Sequence, residues 1–286
     1  MKNIVGTPVH SSNFFGRKSE AEFIFRCLSN KQSVFLYGPR RIGKTSFIRQ
    51  LMFMYSEDLF FIYLDLEGAN TNNHLGLIIN AATNDYSSVT SSHEQVGIDD
   101  FLYSLNSIRP NNKRAIIILD EFSLFLERYS IKGEIDVKDL LQQHKVLRST
   151  PDFNISFLYS SEVNPMRYHF LGNYMNDVLL FELPPLSKND SFELIKALSI
   201  ELNIRLHSNT FDKIYDFSNG SPFNIQLLFR HLFDHNFDKV IDNNDINGIL
   251  VDELYQMKQY RYHLPPQNDS FESEAEIESI VDKTNK

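Results

Sequence analysis

The run Gly38-Pro39-Arg40-Arg41-Ile42-Gly43-Lys44-Thr45 carries the densest chemistry in the chain. It fits the pattern G-x-x-x-x-G-K-[ST], whose glycines let the backbone wrap round a phosphate with its N–H groups pointing inward. A helix that starts there adds the positive end of its dipole at the same point. Lys44 is then a compact cation for the β- and γ-phosphates of a nucleoside triphosphate. The Thr45 hydroxyl is a ligand for Mg²⁺, which keeps most of its water shell and needs only one or two protein oxygens. Ser46 continues the same first helical turn. Arg40 and Arg41 stand either within reach of phosphate or on a solvated loop face.

A second group, Leu119-Asp120-Glu121, sets two consecutive acids at the end of an oily run. Acids in that place are expensive to hold near a core without a cation. Open α/β sheets bind ligands beyond the carboxyl ends of their strands, so Asp120 is expected beside the phosphate loop, holding Mg²⁺ through water. Glu121, one residue on, points elsewhere and is expected to orient or deprotonate an attacking water. The competing reading makes the pair a helix cap and first-turn acid before Phe122-Ser123-Leu124. Ser160-Ser161 offers small hydroxyls for a γ-phosphate or a water, or merely ends a strand. His231 and His235, four residues apart on an expected helix, read as a polar flank, because no further metal ligand stands near them.

Five apolar runs must position these groups: 33–37, 59–64, 115–119, 155–159 and 178–183. Runs apolar at successive positions read as parallel strands covered on both faces. Between them comes helical periodicity, as in Phe47, Leu51 and Met54 on one face. The expected fold is α/β, a five-stranded parallel sheet with helices packed on it. The stretch 70–99, rich in Asn, Ser and Thr, reads as a surface insertion. After Pro184-Pro185 the strand signal stops and helical periodicity runs over 188–260. The expected organisation is a core over 1–186, an α-helical lid subdomain over 187–262, and an acidic, flexible tail over 263–286 with at best one short helix, 274–281.

Composition narrows the function classes. With 286 residues the chain buries a core without needing disulfides or metals, and its one cysteine, Cys27, excludes an internal disulfide and a Cys-rich zinc site. Twenty-eight basic against 37 acidic residues leave a formal charge of -9, which disfavours a general nucleic-acid-coating role. No apolar run approaches the ~18 residues of a membrane span, and the start carries no signal-peptide core. A soluble, cytoplasmic protein without membrane contact is expected.

Upstream of the loop stands Phe15-Gly16-Arg17-Lys18-Ser19-Glu20, and downstream Gly220-Ser221-Pro222. With the loop and the Asp120-Glu121 pair, this order of motifs resembles AAA+-related P-loop ATPases, above all the STAND and archaeal-ATPase-like group. The resemblance covers about 13–235 and implies a P-loop NTPase core with a helical lid, using ATP and Mg²⁺. It implies that Phe15, Gly16 and Arg17 lie near the adenine and that Pro222 packs near the base. Pro222 also suits the first position of a helix running on through Ile225 and Leu228, and the two roles coexist. An arginine finger from a neighbouring subunit is sought among Arg128, Arg148 and Arg167, whereas Arg230 reads as a solvated lid residue. The implied activity is ATP hydrolysis as a conformational switch coupled to an unidentified protein partner, with a homo-oligomer among the assemblies it admits. The alternatives are a DNA-associated loader or transposition ATPase of AAA+ type, and a non-hydrolysing, nucleotide-dependent interaction module.

Overall fold

The computed structural model describes residues 7–9, 11–67, 73–83, 96–132, 134–167, 171–235 and 240–256. All five expected strands form: β1 (Val34–Tyr37), β2 (Leu59–Asp65), β3 (Arg114–Asp120), β4 (Ile155–Ser161) and β5 (Leu179–Glu182). They pair in parallel in the order β2-β3-β4-β1-β5. β4 thus separates β1 from β3. Leu36 stands opposite Ser160, Tyr159 opposite Leu119, and Asp120 opposite Asp65, so the carboxyl ends of four strands line one edge. The strand ends differ from the sequence reading by one or two residues, and two of the differences bear on the site. Asp120 is the last residue inside β3, and Ser160 and Ser161 lie inside β4. Both are inner strands, buried without a break from Ala115 to Asp120 and from Ile155 to Ser161, so their pairing runs on to the edge past the last apolar residue.

Alternation sorts the strand side chains onto two faces. Val34, Leu36, Ile116, Ile118 and Leu158 pack with α1 (Lys18–Ser29) and α2 (Lys44–Tyr55). Phe35, Ile117, Leu119, Phe157 and Tyr159 pack with α3 (His74–Thr83), α4 (Ile98–Ile108), α5 (Phe122–Lys132) and α6 (Glu134–Ser149). Each such enclosed side chain contributes about 1.5–3 kcal/mol of hydrophobic stabilisation.

The expectation of a surface insertion over 70–99 is corrected by α3. Leu75 and Ile78 in that helix are each 1% exposed and belong to the core beneath β2. Their three-residue spacing, continued by Ile79 and Ala82, makes an apolar stripe that the surrounding Asn, Ser and Thr residues hide.

After the four-residue α7 (Gly172–Met175) and β5, the helices α8 (Lys188–Glu201), α9 (Thr210–Ser218), α10 (Pro222–Asp234) and α11 (Asn243–Gln256) gather round a third core. Leu194 and Ile195 of α8, Ile214 of α9, Leu228 and Phe229 of α10 and Ile246 of α11 fill it. Two hydroxyls start these helices: Ser187 accepts from the Asp190 N–H, and Ser221 from the Asn224 N–H, with Pro222 in the first helical position. The expected tail over 263–286, with its helix 274–281, lies outside the described residues. Among those described, no helix is long and apolar enough to cross a membrane.

Candidate functional site

The loop between β1 and α2 is curled by backbone that favours glycine. Gly43, immediately before α2, has φ 98°, and Arg41 has φ 65°. Inside the curl the Lys44 ammonium donates to the carbonyls of Gly38 at 2.9 Å and Pro39 at 3.3 Å. Burial lowers the Lys44 pKa, while Glu121, Asp120 and Glu162 push it back up. The loop therefore keeps a cation among three acids.

Asp120 closes the other side of the loop. Its Oδ2 accepts from the Thr45 hydroxyl at 2.8 Å and from the Tyr63 hydroxyl at 2.9 Å, and its Oδ1 accepts from the Glu121 N–H at 3.1 Å. The last bond lies in the turn between β3 and α5, on the residue before the helix, and so is no helix cap; Asp120 faces Thr45 instead. Burial and then the Asp120 charge raise the Tyr63 phenol well above its ordinary range, so it stays a donor. Thr45 and Asp120 together supply two hard oxygens at one point, which fits the few protein ligands Mg²⁺ takes.

Glu121 has φ 55°, a left-handed backbone that costs a side-chain-bearing residue about 1 kcal/mol. It lines a cleft that the Asp120 side chain does not. Burial raises the Glu121 carboxyl above the usual range, Lys44 pulls it down, and Asp120, Glu162 and Glu67 raise it further. A carboxylate shifted this way is a better proton acceptor than an ordinary glutamate.

The cleft, of about 220 Å³, opens between the loop, the amino-terminal segment and the α8–α11 helices. Val9 N–H donates to Ser46 Oγ at 3.1 Å and Ser11 N–H to Gln50 Oε1 at 2.6 Å, which straps that segment along α2. Apolar walls come from Val9, Phe14, Phe15, Leu186, Leu194 and Pro222. The Arg41 guanidinium stacks over the Phe223 ring of α10 at 4.2 Å, a cation–π contact between loop and helix.

Of the residues singled out in the sequence, the structure gathers Phe15, Arg17, Arg40, Arg41 and Pro222 round this cleft. Gly43, Lys44, Thr45, Ser46 and Glu121 join them there. Gly16, Gly38, Pro39, Ile42 and Asp120 do not line it. Gly38 and Pro39 act through their carbonyls, and Gly16, at φ 71°, leaves room for the Asp190 side chain that a Cβ would strike.

Arg17, which the resemblance put near the adenine, has its guanidinium on backbone. Nη2 donates to the Ile42 carbonyl at 2.8 Å and the Pro184 carbonyl at 3.0 Å, and the residue is 3% exposed. Burial lowers its pKa to about 10, against the pull of Glu20 and Asp190, so it stays charged at neutral pH. It ties the phosphate loop to the segment that leads into α8.

Two expectations are corrected. Arg148 is no arginine finger for another subunit: it is buried and bound to Asp177 and Tyr159. Ser161 is engaged in its own turn, its Oγ donating to the Val163 carbonyl and accepting from the Val163 N–H, so it offers nothing to a phosphate. Ser160 Oγ is enclosed and has no partner among the described residues. The side chains of Arg128 and Arg167 lie outside the described residues, and Arg230 is exposed. Sequence reasoning missed Tyr63, the strap at Thr7–Val9 and Phe223. Only the β2–β3 register reveals Tyr63, whereas Phe223 directly follows the Pro222 already singled out.

No protein-family model matches the chain, and no curated protein matches it. Solved structures do. A Walker-type ATPase of Pyrococcus abyssi superposes with a TM-score of 0.64 at 16% identity, covering 90% of this chain and 79% of that one. An ORC1 protein of Aeropyrum pernix, solved in complex with DNA, gives 0.54 at 14% identity over 88% of this chain and 69% of that one. RuvB of Thermotoga maritima gives 0.53 at 12% identity over 84% and 70%. The chain therefore shares the fold of these structures, an α/β P-loop NTPase core with a five-stranded parallel sheet.

Proposed function

We propose that this chain binds ATP with Mg²⁺ in the cleft and hydrolyses it to ADP and phosphate, as a conformational switch that engages a protein partner. The observation that carries the proposal is the 2.8 Å contact of Thr45 with Asp120, flanked by Lys44 and Glu121. Lys44 would exchange its carbonyl acceptors for phosphate oxygens, and Thr45 and Asp120 would hold Mg²⁺. The ion, when bound, supplies positive charge for the oxygens of the transferring phosphoryl group. Glu121 would accept the proton of the water that attacks the γ-phosphorus as the bond to ADP breaks.

The switch reading draws support from two links between the loop and the α8–α11 helices, Arg17 on Ile42 and Pro184, and Arg41 on Phe223. Membership of the STAND-like group rests on Gly16-Arg17 and Gly220-Ser221-Pro222, and a cytoplasmic location on composition. An arginine from a second copy, with Arg128 or Arg167 as its source, belongs to the same reading. Phosphate release per molecule then rises with protein concentration.

Lys44→Ala should abolish ATP binding measured by calorimetry. Glu121→Gln should keep ATP and lower turnover by about 10²–10⁴-fold. Equal ATP affinity in Lys44→Ala and the parent chain refutes the assignment. A DNA-associated ATPase is the second reading, favoured by the likeness to the ORC1 protein solved with DNA and opposed by the charge of -9. Stimulation of phosphate release by duplex DNA, steeply weakened by salt, would select it.

A further inference from the structure

Glu121 makes the step from β3 to α5 with a left-handed backbone, φ 55°. A side-chain-bearing residue persists in that region only where its surroundings over-determine it, and such strain gathers where a group must be aimed. Before the step the chain is pinned at Asp120, whose carboxylate accepts from Thr45 and Tyr63 and whose carbonyl accepts from the Leu66 N–H at 3.1 Å. After it the pin is the Phe122 side chain, fully buried on the opposite face of the sheet. The Phe122 ring centre lies 4.8 Å from that of Tyr159, 6.0 Å from that of His144 and 6.2 Å from that of Phe35. Tyr159 sets the shape of this pocket. Its ring stacks on Phe35 at 5.7 Å and Phe157 at 5.4 Å, while its hydroxyl accepts from Arg148 Nη1 at 2.9 Å and faces His144 Nδ1 at 3.4 Å. Burial pushes the Tyr159 phenol up to about 12 against the pull of Arg148, so the hydroxyl keeps its proton. Bonds of this kind in a buried network fix the ring in one orientation, which packing alone does less sharply.

We propose that Phe122 and Tyr159 are positioning residues for Glu121: the Phe122 ring, locked against Tyr159, holds the strained step and so aims the Glu121 carboxylate into the cleft. The inference rests on the reading of Glu121 as the acceptor of the water proton. Such a group must stand within hydrogen-bond reach of the proton it takes. A displacement of about 1 Å can cost about 10²-fold in rate. Without the Phe122 ring, Glu121 is free to relax toward the right-handed backbone that α5 already has, and its carboxylate swings away. Lys44, Thr45 and Asp120 keep their places, because their bonds lie on the α2 face. The clamp therefore acts on turnover and leaves the grip on ATP and Mg²⁺ alone.

The test measures phosphate release and, by calorimetry, ATP affinity on the full chain with ATP and Mg²⁺. Phe122→Leu should lower kcat by roughly tenfold to a hundredfold while ATP affinity stays within about twofold. Tyr159→Phe, which keeps the ring and loses only the hydroxyl, should lower kcat by roughly two- to tenfold. In a Glu121→Gln background Phe122→Leu should lower the residual phosphate release no further, because residues that act as a unit are not additive. The same fold-loss in both backgrounds, or a loss of affinity that matches the loss of turnover, is what a merely structural role gives and overturns the inference. So does an unchanged kcat in Phe122→Leu. If Phe122→Leu fails to fold, Phe122→Met, whose flexible side chain fills irregular gaps, carries the same comparison. Turnover lost in Glu121→Gln but kept in Phe122→Leu sinks only the clamp. Full turnover in Glu121→Gln sinks the reading of Glu121 as well.

Discussion

Two polar clusters sit on opposite faces of the sheet and handle their charge in opposite ways. On the α2 face, Lys44 is held by two carbonyls, and Glu121 opens to the cleft. On the other face, Arg148 is saturated: Nε and Nη2 bind the Asp177 carboxylate at 2.9 and 2.8 Å, Nη1 donates to the Tyr159 hydroxyl at 2.9 Å, and Nη2 also meets the Tyr174 carbonyl. His144 lies beside it, its Nδ1 3.4 Å from the same hydroxyl and its ring 5.2 Å from that of His74. A closed network spends its bonds on the fold, joining α6 to the approach to β5. An open one keeps donors and acceptors for a ligand.

The largest effect expected from this contrast is on stability. Arg148→Ala strands a carboxylate and a buried phenol and should cost about 3 kcal/mol in urea unfolding, the low end for a broken buried pair because the Asp177 side chain is 39% exposed. Lys44→Ala should cost far less, since burial already disfavours its ammonium. A larger loss from Lys44→Ala than from Arg148→Ala would break the contrast.

Next comes the response to acid, which has opposite signs in the two clusters. Burial, then His74 and Arg148, hold the His144 pKa well below its usual value. The unfolded chain therefore binds the proton first, and stability falls as pH drops through about 6.5. His144→Met should flatten the stability profile between about pH 7 and 5. Glu121 has a raised carboxyl, so its contribution is lost as pH rises from about 4.5 through the folded-state value. Glu121→Gln should accordingly raise Tm at neutral pH, and a lower Tm would contradict the assigned shift.

The smallest effect concerns Tyr63. Removing its hydroxyl in Tyr63→Phe leaves Asp120 with its Thr45 and backbone bonds and should weaken Mg²⁺-dependent ATP binding by about 1 kcal/mol. A loss as large as that of Lys44→Ala would mean that Tyr63 does more than orient the carboxylate.

The strands and the loop were readable because their signals are local: an unbroken apolar run, and glycines at fixed distance from Lys44 and Thr45. Asp120 was readable as a polar residue closing an oily strand. Tyr63 was not, because its meeting with Asp120 depends on which strand neighbours β3 and in what register. Arg17 was noticed, but its partners are carbonyl groups, which every residue carries and no sequence pattern marks. Arg148 was read as a candidate arginine finger because its partners Tyr159 and Asp177 come from separate parts of the chain and no sequence pattern joins them. The α3 stripe was masked by the polar residues that surround it in the sequence, although His74 and Asn80 among them are buried.

The bond pair made by Arg17 has a mechanical consequence. One enclosed cation holds both the Ile42 carbonyl and the Pro184 carbonyl. A swing of the last four helices that drags Pro184 away must deform the phosphate loop too, or strip an acceptor from a charge that water does not reach. The shape of the loop and the position of Pro184 are thereby coupled through one shared cation.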